Sequence, residues 1–394
     1  MIPTAEALAH VLALMRPVSV ESVGLRDAAG RVLAEDVAAH RDQPPFRASV
    51  MDGYAVRDSE VATGRTLTVI GEAAAGQAFA GTVAAGQAVR IFTGAPVPDG
   101  ADRVIIQEDV TRTGDTITIG EDADTALYVR PSGADFKKGS TLSAPRRLSP
   151  SDLALLAAMN APSVKVYRRP VVALIATGDE LVMPGETPND DQIIASNTFG
   201  LAAMIDAAGG QARLLPIARD TEAALETVLG LAEGADLIVT IGGASVGDHD
   251  LVGKVAAGMG LDRSFYKIAM RPGKPLMAGR LGDTPMIGLP GNPVSAMVCG
   301  RIFLVPALQA LTGRPADAAP RQSLPLAHAI GQNGPREHYM RARMENGEVT
   351  VFERQDSALL SVLSTANCLA VRPPHDPPRD AGDMVEVVDL TPND

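Results

Sequence analysis

Three short stretches carry residue types that could do chemistry together. ATGDEL sets Asp179 and Glu180 at the end of an apolar run, and GGASVGDHD sets Gly242, Gly243, Ser245, Gly247, Asp248 and Asp250 at the end of another. LPGNPVS sets Asn292, Pro293 and Ser295 at the end of a third. Glycines in such a turn let backbone N–H groups point inward as an anion nest, and a helix starting at Asn292-Pro293 would present further N–H groups. Carboxylates from two different loops, Glu180 with Asp248 and Asp250, are what Mg²⁺ takes when it also binds waters and substrate phosphates. RPGKP supplies cations, Arg271 and Lys274, with Lys267 on the strand before and Pro275 stiffening the turn. A stiff cationic loop is a preorganised anion clamp. Each stretch also has a plainer reading as a solvated or glycine-rich turn, and it is their convergence that points to a phosphate or oxyanion site.

The elements that position these loops follow from hydrophobic period. From Pro170 onward, apolar strands (VVALIAT, ARLLPI, ADLIVTIGG, PMIGLPG) alternate with amphipathic helices, which specifies a parallel sheet of βαβ units. In such a sheet ligands bind beyond the carboxyl ends of the strands, where all three loops fall. Residues 4–16 read as a helix with Thr4 as N-cap and Pro17 past its end. Ser149, Pro150 and Asp152 read as N-cap, N1 and N3 of another helix. Between about 40 and 136 short strands with turns indicate a β-rich insert, and the tail from 319 is again strands without a long helix. The expected division is 1–40 with 137–168 as one discontinuous α+β linker and dimerisation domain, 41–136 as the β insert, 169–318 as the α/β domain and 319–394 as a small β domain. The fold class is thus multidomain α/β plus β.

Composition excludes several classes. The 394 residues carry 35 basic and 47 acidic side chains, a net charge of −12, which disfavours nucleic acid and anionic membranes as partners. Two cysteines without a CxxC and six scattered histidines argue against a disulfide framework and a zinc enzyme. With no Trp and 3% aromatics there is no base-stacking platform. No apolar run approaches the ~18 residues of a membrane span, and the N-terminus lacks a basic leader, so the expected location is the cytoplasm. With 38 Gly and 29 Pro clustered at a few points, function is expected in shaped loops.

In order along the chain, SVMDGYAV, FTGAPVPDGAD, VRPSGADFKKG, ATGDEL, SNTFGL, GGASVGDHD, KIAMRPGKP and LPGNPVSAM resemble the molybdopterin molybdenumtransferase family. These are the MoeA-type proteins of molybdenum-cofactor synthesis, to which the E domain of gephyrin also belongs. The resemblance covers essentially the whole chain. It implies an elongated homodimer whose site lies between the α/β domain of one subunit and the insert of the other. It implies Mg²⁺-dependent insertion of molybdate into adenylylated molybdopterin with release of AMP. It also implies contacts with the adenylyltransferase of the pathway and with apo-molybdoenzymes.

By motif, the resemblance assigns catalytic roles to Asp52, Thr93, Asp135, Glu180 and Asp250. It places Arg130, Asp220, Lys267, Arg271, Lys274, Ser295, Arg341 and Ser357 against substrate. Asp356 stands where the family commonly has Gly, and an acid beside an oxyanion contact is unfavourable unless it points away. Two other readings stay open: a non-catalytic pterin-binding scaffold of the same fold, and a phosphate-ester hydrolase using the same metal. The carboxylates at 52, 180 and 250 argue against the scaffold, which need not keep acids that repel its ligand.

Overall fold

The run VVALIA has no polar alternation, and the reason is burial on both faces. In the computed structural model, which describes residues 1–243 and 251–390, Val171–Ala176 lies inside a six-stranded sheet. The strand order is Gln211–Leu214, Val171–Ala176, Leu237–Ile241, Thr284–Leu289, Met277–Leu281, Leu261–Tyr266. Alternate residues feed two cores. Val172 and Leu174 pack with Leu201, Ile205 and Phe303, while Ala173 and Ile175 pack with Leu225, Val228 and Val252.

The first four strands are mutually parallel, Met277–Leu281 runs antiparallel to them, and Leu261–Tyr266 runs antiparallel to Met277–Leu281 in turn. The four strands expected to form a parallel sheet do so, and Met277–Leu281 and Leu261–Tyr266 extend that sheet beyond them. Leu281 pairs with Thr284 across a two-residue turn in which Gly282 has φ 58°, the backbone such a hairpin turn requires.

Helices cover both faces. Thr221 caps Glu222–Gly230 by accepting from the Ala224 N–H at 3.2 Å. The last helix runs from Pro293 to Leu311 with a π-helical step at Gly300–Leu304. Contrary to the expectation that no apolar stretch approaches membrane-span length, this one has 19 residues and a mean hydropathy of 1.7. It is 72% buried within the protein and forms the backbone of the main core.

Val20–Gly24 pairs with Ser163–Tyr167, and Val32–Leu33 with Arg146–Arg147, so the two ends that flank the insert share one sheet. Ser149 and Asp152 form the reciprocal capping box that their spacing predicts, opening Pro150–Ala158. Thr4 departs from expectation. It is the first helical residue of Thr4–Leu14, Pro3 occupies the cap, and the Thr4 Oγ1 is buried without a partner among the described residues.

The insert is a six-stranded sheet around Gly53–Val56 and Gln87–Ile91. The tail sheet orders Glu337–Glu345, Cys368–Arg372, Met384–Asp389 and Arg321–Pro325, and Met270–Arg271 joins its edge from the α/β region. That two-residue strand carries Arg271 onto the tail. The accessible surface is 18763 Å², against roughly 14,700 Å² for a compact chain of this mass, which agrees with an extended multidomain shape.

Candidate functional site

A cleft of about 1020 Å³ opens beyond the carboxyl ends of the three central strands. Where Val171–Ala176 ends, Thr177 and Gly178 lead into Asp179 and Glu180. Asp179 does not face the cleft's contents. Its Oδ1 accepts from the Asp220 N–H at 3.1 Å, and Arg219 donates to the carbonyls of Asp179 (2.8 Å) and Leu181 (3.2 Å). This stitch holds the two loops together, so that Glu180 and Asp220 line one cleft as exposed carboxylates.

Gly242 and Gly243 follow the next strand with φ 88° and 63°. A Cβ at Gly242 would sit 2.9 Å from the Thr177 carbonyl, and one at Gly243 2.8 Å from the Thr177 Oγ1, so no larger residue fits either turn. Pro275, Asn292, Pro293 and the buried Ser295 complete the wall. Asn197 ties the SNTFGL helix to it by donating to the Gly291 carbonyl at 2.7 Å.

The helix entry behaves differently from its sequence reading. Pro293 has no N–H, and the Val294 N–H donates to the Ser357 carbonyl at 3.0 Å, so the expected row of free donors is largely engaged. Asn292 Nδ2 donates to the Ser357 Oγ at 3.1 Å. These bonds pin the tail onto the α/β region and create a seam next to the cleft. Arg341 lies in that seam with no exposed surface. Its Nη2 donates to the Asp356 carbonyl at 2.9 Å, while Nε and Nη1 have no partner among the described residues. A buried guanidinium with two unused donors is a strong demand for an anion.

The acid at 356 is turned aside: its Oδ1 accepts from the Ala358 N–H at 2.8 Å. Its charge nonetheless partly offsets the burial that pushes the Arg341 guanidinium down. His338 is held well below the usual histidine range, at about 3, by burial and by the charges of Arg271, Arg341, Arg336 and Arg372.

A second cluster stands in the insert. Three loops converge on residues 48–52: Gly94 N–H donates to the Ser49 carbonyl (2.9 Å), Ser49 N–H to Ala95 (3.0 Å) and Val50 N–H to Tyr128 (2.9 Å). Asp52 Oδ1 accepts from both the Thr93 Oγ1 and the Thr93 N–H, each at 2.7 Å. The Thr93 hydroxyl, then its N–H, hold the Asp52 carboxyl below its ordinary range, and the Arg90 charge adds to this. Arg90 is itself stacked between the rings of Tyr54 (5.1 Å) and Phe92 (4.7 Å). Arg130 lies on the strand that pairs with Ala48–Ser49, and the Asp135 N–H donates to Gln43 at 2.9 Å.

The cleft thus gathers Glu180, Asp220, Gly242, Gly243, Pro275, Asn292, Pro293 and Ser295. Arg341 and Ser357 meet in the seam beside it. Asp52 and Thr93 form the insert cluster with Arg130 on the adjoining strand, Asp135 is held at Gln43, and none of the four lines the cleft of the same chain. Arg271 sits at the tail-sheet edge. Lys267 is just past its strand, at φ 75°, with its Nζ 4.9 Å from the Tyr266 ring, and Lys274 closes the turn through its carbonyl. Neither lysine lines the cleft. Ser245, Gly247, Asp248 and Asp250 lie outside the described residues. The sequence reading passed over Arg219, Asn197 and His338, whose roles depend on contacts remote in sequence. Asp179 was visible at its strand end, but not as a stitch.

Mg²⁺ takes one or two carboxylates together with waters and phosphate oxygens. Glu180 and Asp220 fit that demand. Among the described residues no group of three His, Cys, Asp or Glu side chains could hold a metal by itself.

Comparison with known proteins agrees along the whole chain. Residues 2–160 match the MoeA N-terminal region (domain I and II), 173–310 a probable molybdopterin binding domain, and 323–390 the MoeA C-terminal region (domain IV). The chain is 36% identical over 364 residues to the molybdopterin molybdenumtransferase of Haemophilus influenzae, covering 90% of each. It is 35% identical over 399 residues to molybdopterin molybdenumtransferase 2 of Mycobacterium tuberculosis, covering 98% of each. The crystal structure of a molybdopterin biosynthesis MoeA protein from Pyrococcus horikoshii superposes with a TM-score of 0.84 at 31% identity over 99% of both chains. The fold, the loop positions and these relatives agree, and the chain belongs to the molybdopterin molybdenumtransferase family.

Proposed function

We propose that this protein inserts molybdate into adenylylated molybdopterin and releases AMP. The observation that carries the proposal is the placement of two complementary sites side by side. The cleft offers exposed carboxylates and close-approach glycines, and the seam beside it offers a buried arginine with two unused donors. A phosphate-bearing substrate needs the first, and a tetrahedral oxyanion needs the second.

One or two of Glu180, Asp220, Asp248 and Asp250 would hold Mg²⁺. When bound, that ion neutralises charge on the pyrophosphate. The chain's own residues do the rest. Gly242 and Gly243 let backbone reach the phosphates, Arg341 and Arg271 draw and orient the oxyanion, and Ser357 orders the seam through Asn292. Asp52, kept ionised by Thr93, is the acid best prepared to orient an attacking oxygen.

Asp52 belongs to the insert, so the reading includes a homodimer in which one subunit's insert faces its partner's cleft. Exposed apolar side chains support this at both places: Ile193 and Ile194 at the cleft rim, and Met51 beside Asp52. Free, deeply buried thiols at Cys299 and Cys368 suit a reducing cytoplasm.

The test is an anaerobic reaction with adenylylated molybdopterin, Mg²⁺ and molybdate. AMP is followed by chromatography and active cofactor by reconstitution of an apo-molybdoenzyme. Both products are expected from the wild type, with a loss of at least about a hundredfold in Asp52→Asn, the range of a lost general acid–base group. Tight binding with neither product would overturn the transferase reading, and AMP without cofactor would point to a hydrolase.

A further inference from the structure

We infer that Gln355 is a positioning residue for the oxyanion: its carboxamide holds the backbone of Arg341 and so aims the unused donors of that arginine. The inference rests on the reading above that the seam holds the oxyanion.

The strand Glu337–Glu345 pairs with Cys368–Arg372 along one edge. Its other edge is shared. Met270–Arg271 covers Glu337 and His338, and Glu348–Val351 covers the stretch from Ala342 to Glu345. Arg341 falls between those two segments, and among the described residues no strand pairs with it on that edge. A side chain takes the place of one. The Gln355 Oε1 accepts from the Arg341 N–H at 2.9 Å, and its Nε2 donates to the Arg341 carbonyl at 2.9 Å. Nε2 also donates to the Phe352 carbonyl at 2.7 Å, while the Phe352 N–H donates to the Arg341 carbonyl at 3.1 Å. Both ends of one carboxamide are thus engaged in tying the loop to the strand at Arg341.

The next residues extend the same hold. The Asp356 carbonyl accepts from the Arg341 Nη2 at 2.9 Å, so consecutive loop residues fix the backbone and one arm of a single arginine. A guanidinium is a planar fork, and holding one arm and the backbone behind it narrows the directions open to Nε and Nη1. Donors ordered in advance leave less freedom for an arriving anion to remove. Ser357 then accepts from Asn292 and from the Val294 N–H, and Ala358 reaches the cleft wall. Gln355 itself acts through Arg341. Without its bonds the long arginine side chain regains rotamer freedom, which oxyanion binding must then take away.

The experiment is isothermal titration calorimetry of the full chain with sodium molybdate and, separately, with AMP in the presence of Mg²⁺. The variant is Gln355→Met, which keeps the length of the side chain and removes its hydrogen bonds. Molybdate affinity is expected to fall about tenfold, the scale of one or two lost hydrogen bonds. AMP affinity is expected to change by less than about twofold, because Glu180, Asp220, Gly242 and Gly243 stand on other loops. In turnover the KM for molybdate should rise by the same factor, with kcat at saturating molybdate within about twofold of the wild type. Gln355→Asn, too short to span the same bonds, carries the same expectation if the methionine variant does not fold. Unchanged molybdate affinity overturns the inference, and so does an equal loss for molybdate and AMP, which marks a role in folding alone. Arg341→Met separates the two readings. If it loses molybdate while Gln355→Met keeps it, the seam holds the oxyanion and only the role of Gln355 has failed. If the wild type binds no molybdate, or Arg341→Met binds it unchanged, the oxyanion reading itself has failed and the inference goes with it.

Discussion

In the cleft, charge stands in water. Glu180 and Asp220 are exposed, and their loops are held by backbone-directed bonds from Arg219 and to Asp179. In the tail sheet, charge is buried: Arg341 and Arg372 have 0% and 1% exposure and His338 has 5%. The cleft's acids can be exchanged without leaving a buried group stranded. The tail sheet's charges cannot, because a buried charge deprived of its partner keeps its full desolvation penalty. One region is therefore tolerant and tunable, while the other binds the fold to a particular charge pattern and makes it sensitive to acid.

The largest expected effect breaks the buried charge pair of the tail. Asp376 accepts from Arg372 and, at 2.8 and 2.9 Å, from Arg379. Asp376→Ala should lower the unfolding free energy by about 3–5 kcal/mol, because it leaves Arg372 buried and unpaired. Urea denaturation reads this as a lower midpoint at unchanged slope. A loss below about 1 kcal/mol would remove the distinction between the two regions.

The next effect comes from pH. The His338 folded value of about 3 lies below its unfolded value of 6.5, so the unfolded chain binds the proton first. The stability that neutral His338 contributes is present above pH 6.5 and is lost as pH falls toward 3. At pH 5 the loss is about 2 kcal/mol relative to pH 8. Asp376, held low first by its bond to Arg379, loses stability in the same direction at more acid pH. Thermal unfolding of His338→Gln between pH 8 and 5 should show a shallower decline than the wild type. Parallel curves would mean that His338 is not held neutral.

The smallest effect on stability sharpens the other side. Glu180→Gln should change unfolding free energy by less than about 0.5 kcal/mol, as expected of an exposed side chain. The same substitution should raise the Mg²⁺ concentration needed for AMP release on the order of tenfold. A large loss of stability in this variant would show that the cleft tolerates exchange no better than the tail sheet does.

Much of the cleft was legible in the residues themselves. Apolar runs ending in GDEL, GG and LPGN place loops at a sheet's carboxyl edge, and the Ser149–Asp152 box appears as its spacing demands. What was missed has one character. The antiparallel hairpin at 277–289 turns on Gly282, a single residue within an apolar pattern that reads the same in either strand direction. The Val294 N–H is engaged because Ser357, from another part of the chain, arrives to accept it. Lys267 leaves its strand through a left-handed turn that its residue type disfavours.

Sequence by itself determined most elements, the Ser149–Asp152 cap and the loops that end the central strands, because period, capping and turn chemistry act between near neighbours. It also determined the family, because the motifs recur in order. Only the tertiary structure decided that Arg271, His338 and Arg372 stand in one row and that Arg341 is buried with two donors unused. Strand pairing between remote segments sets that register, and burial then turns an ordinary histidine among arginines into a neutral one.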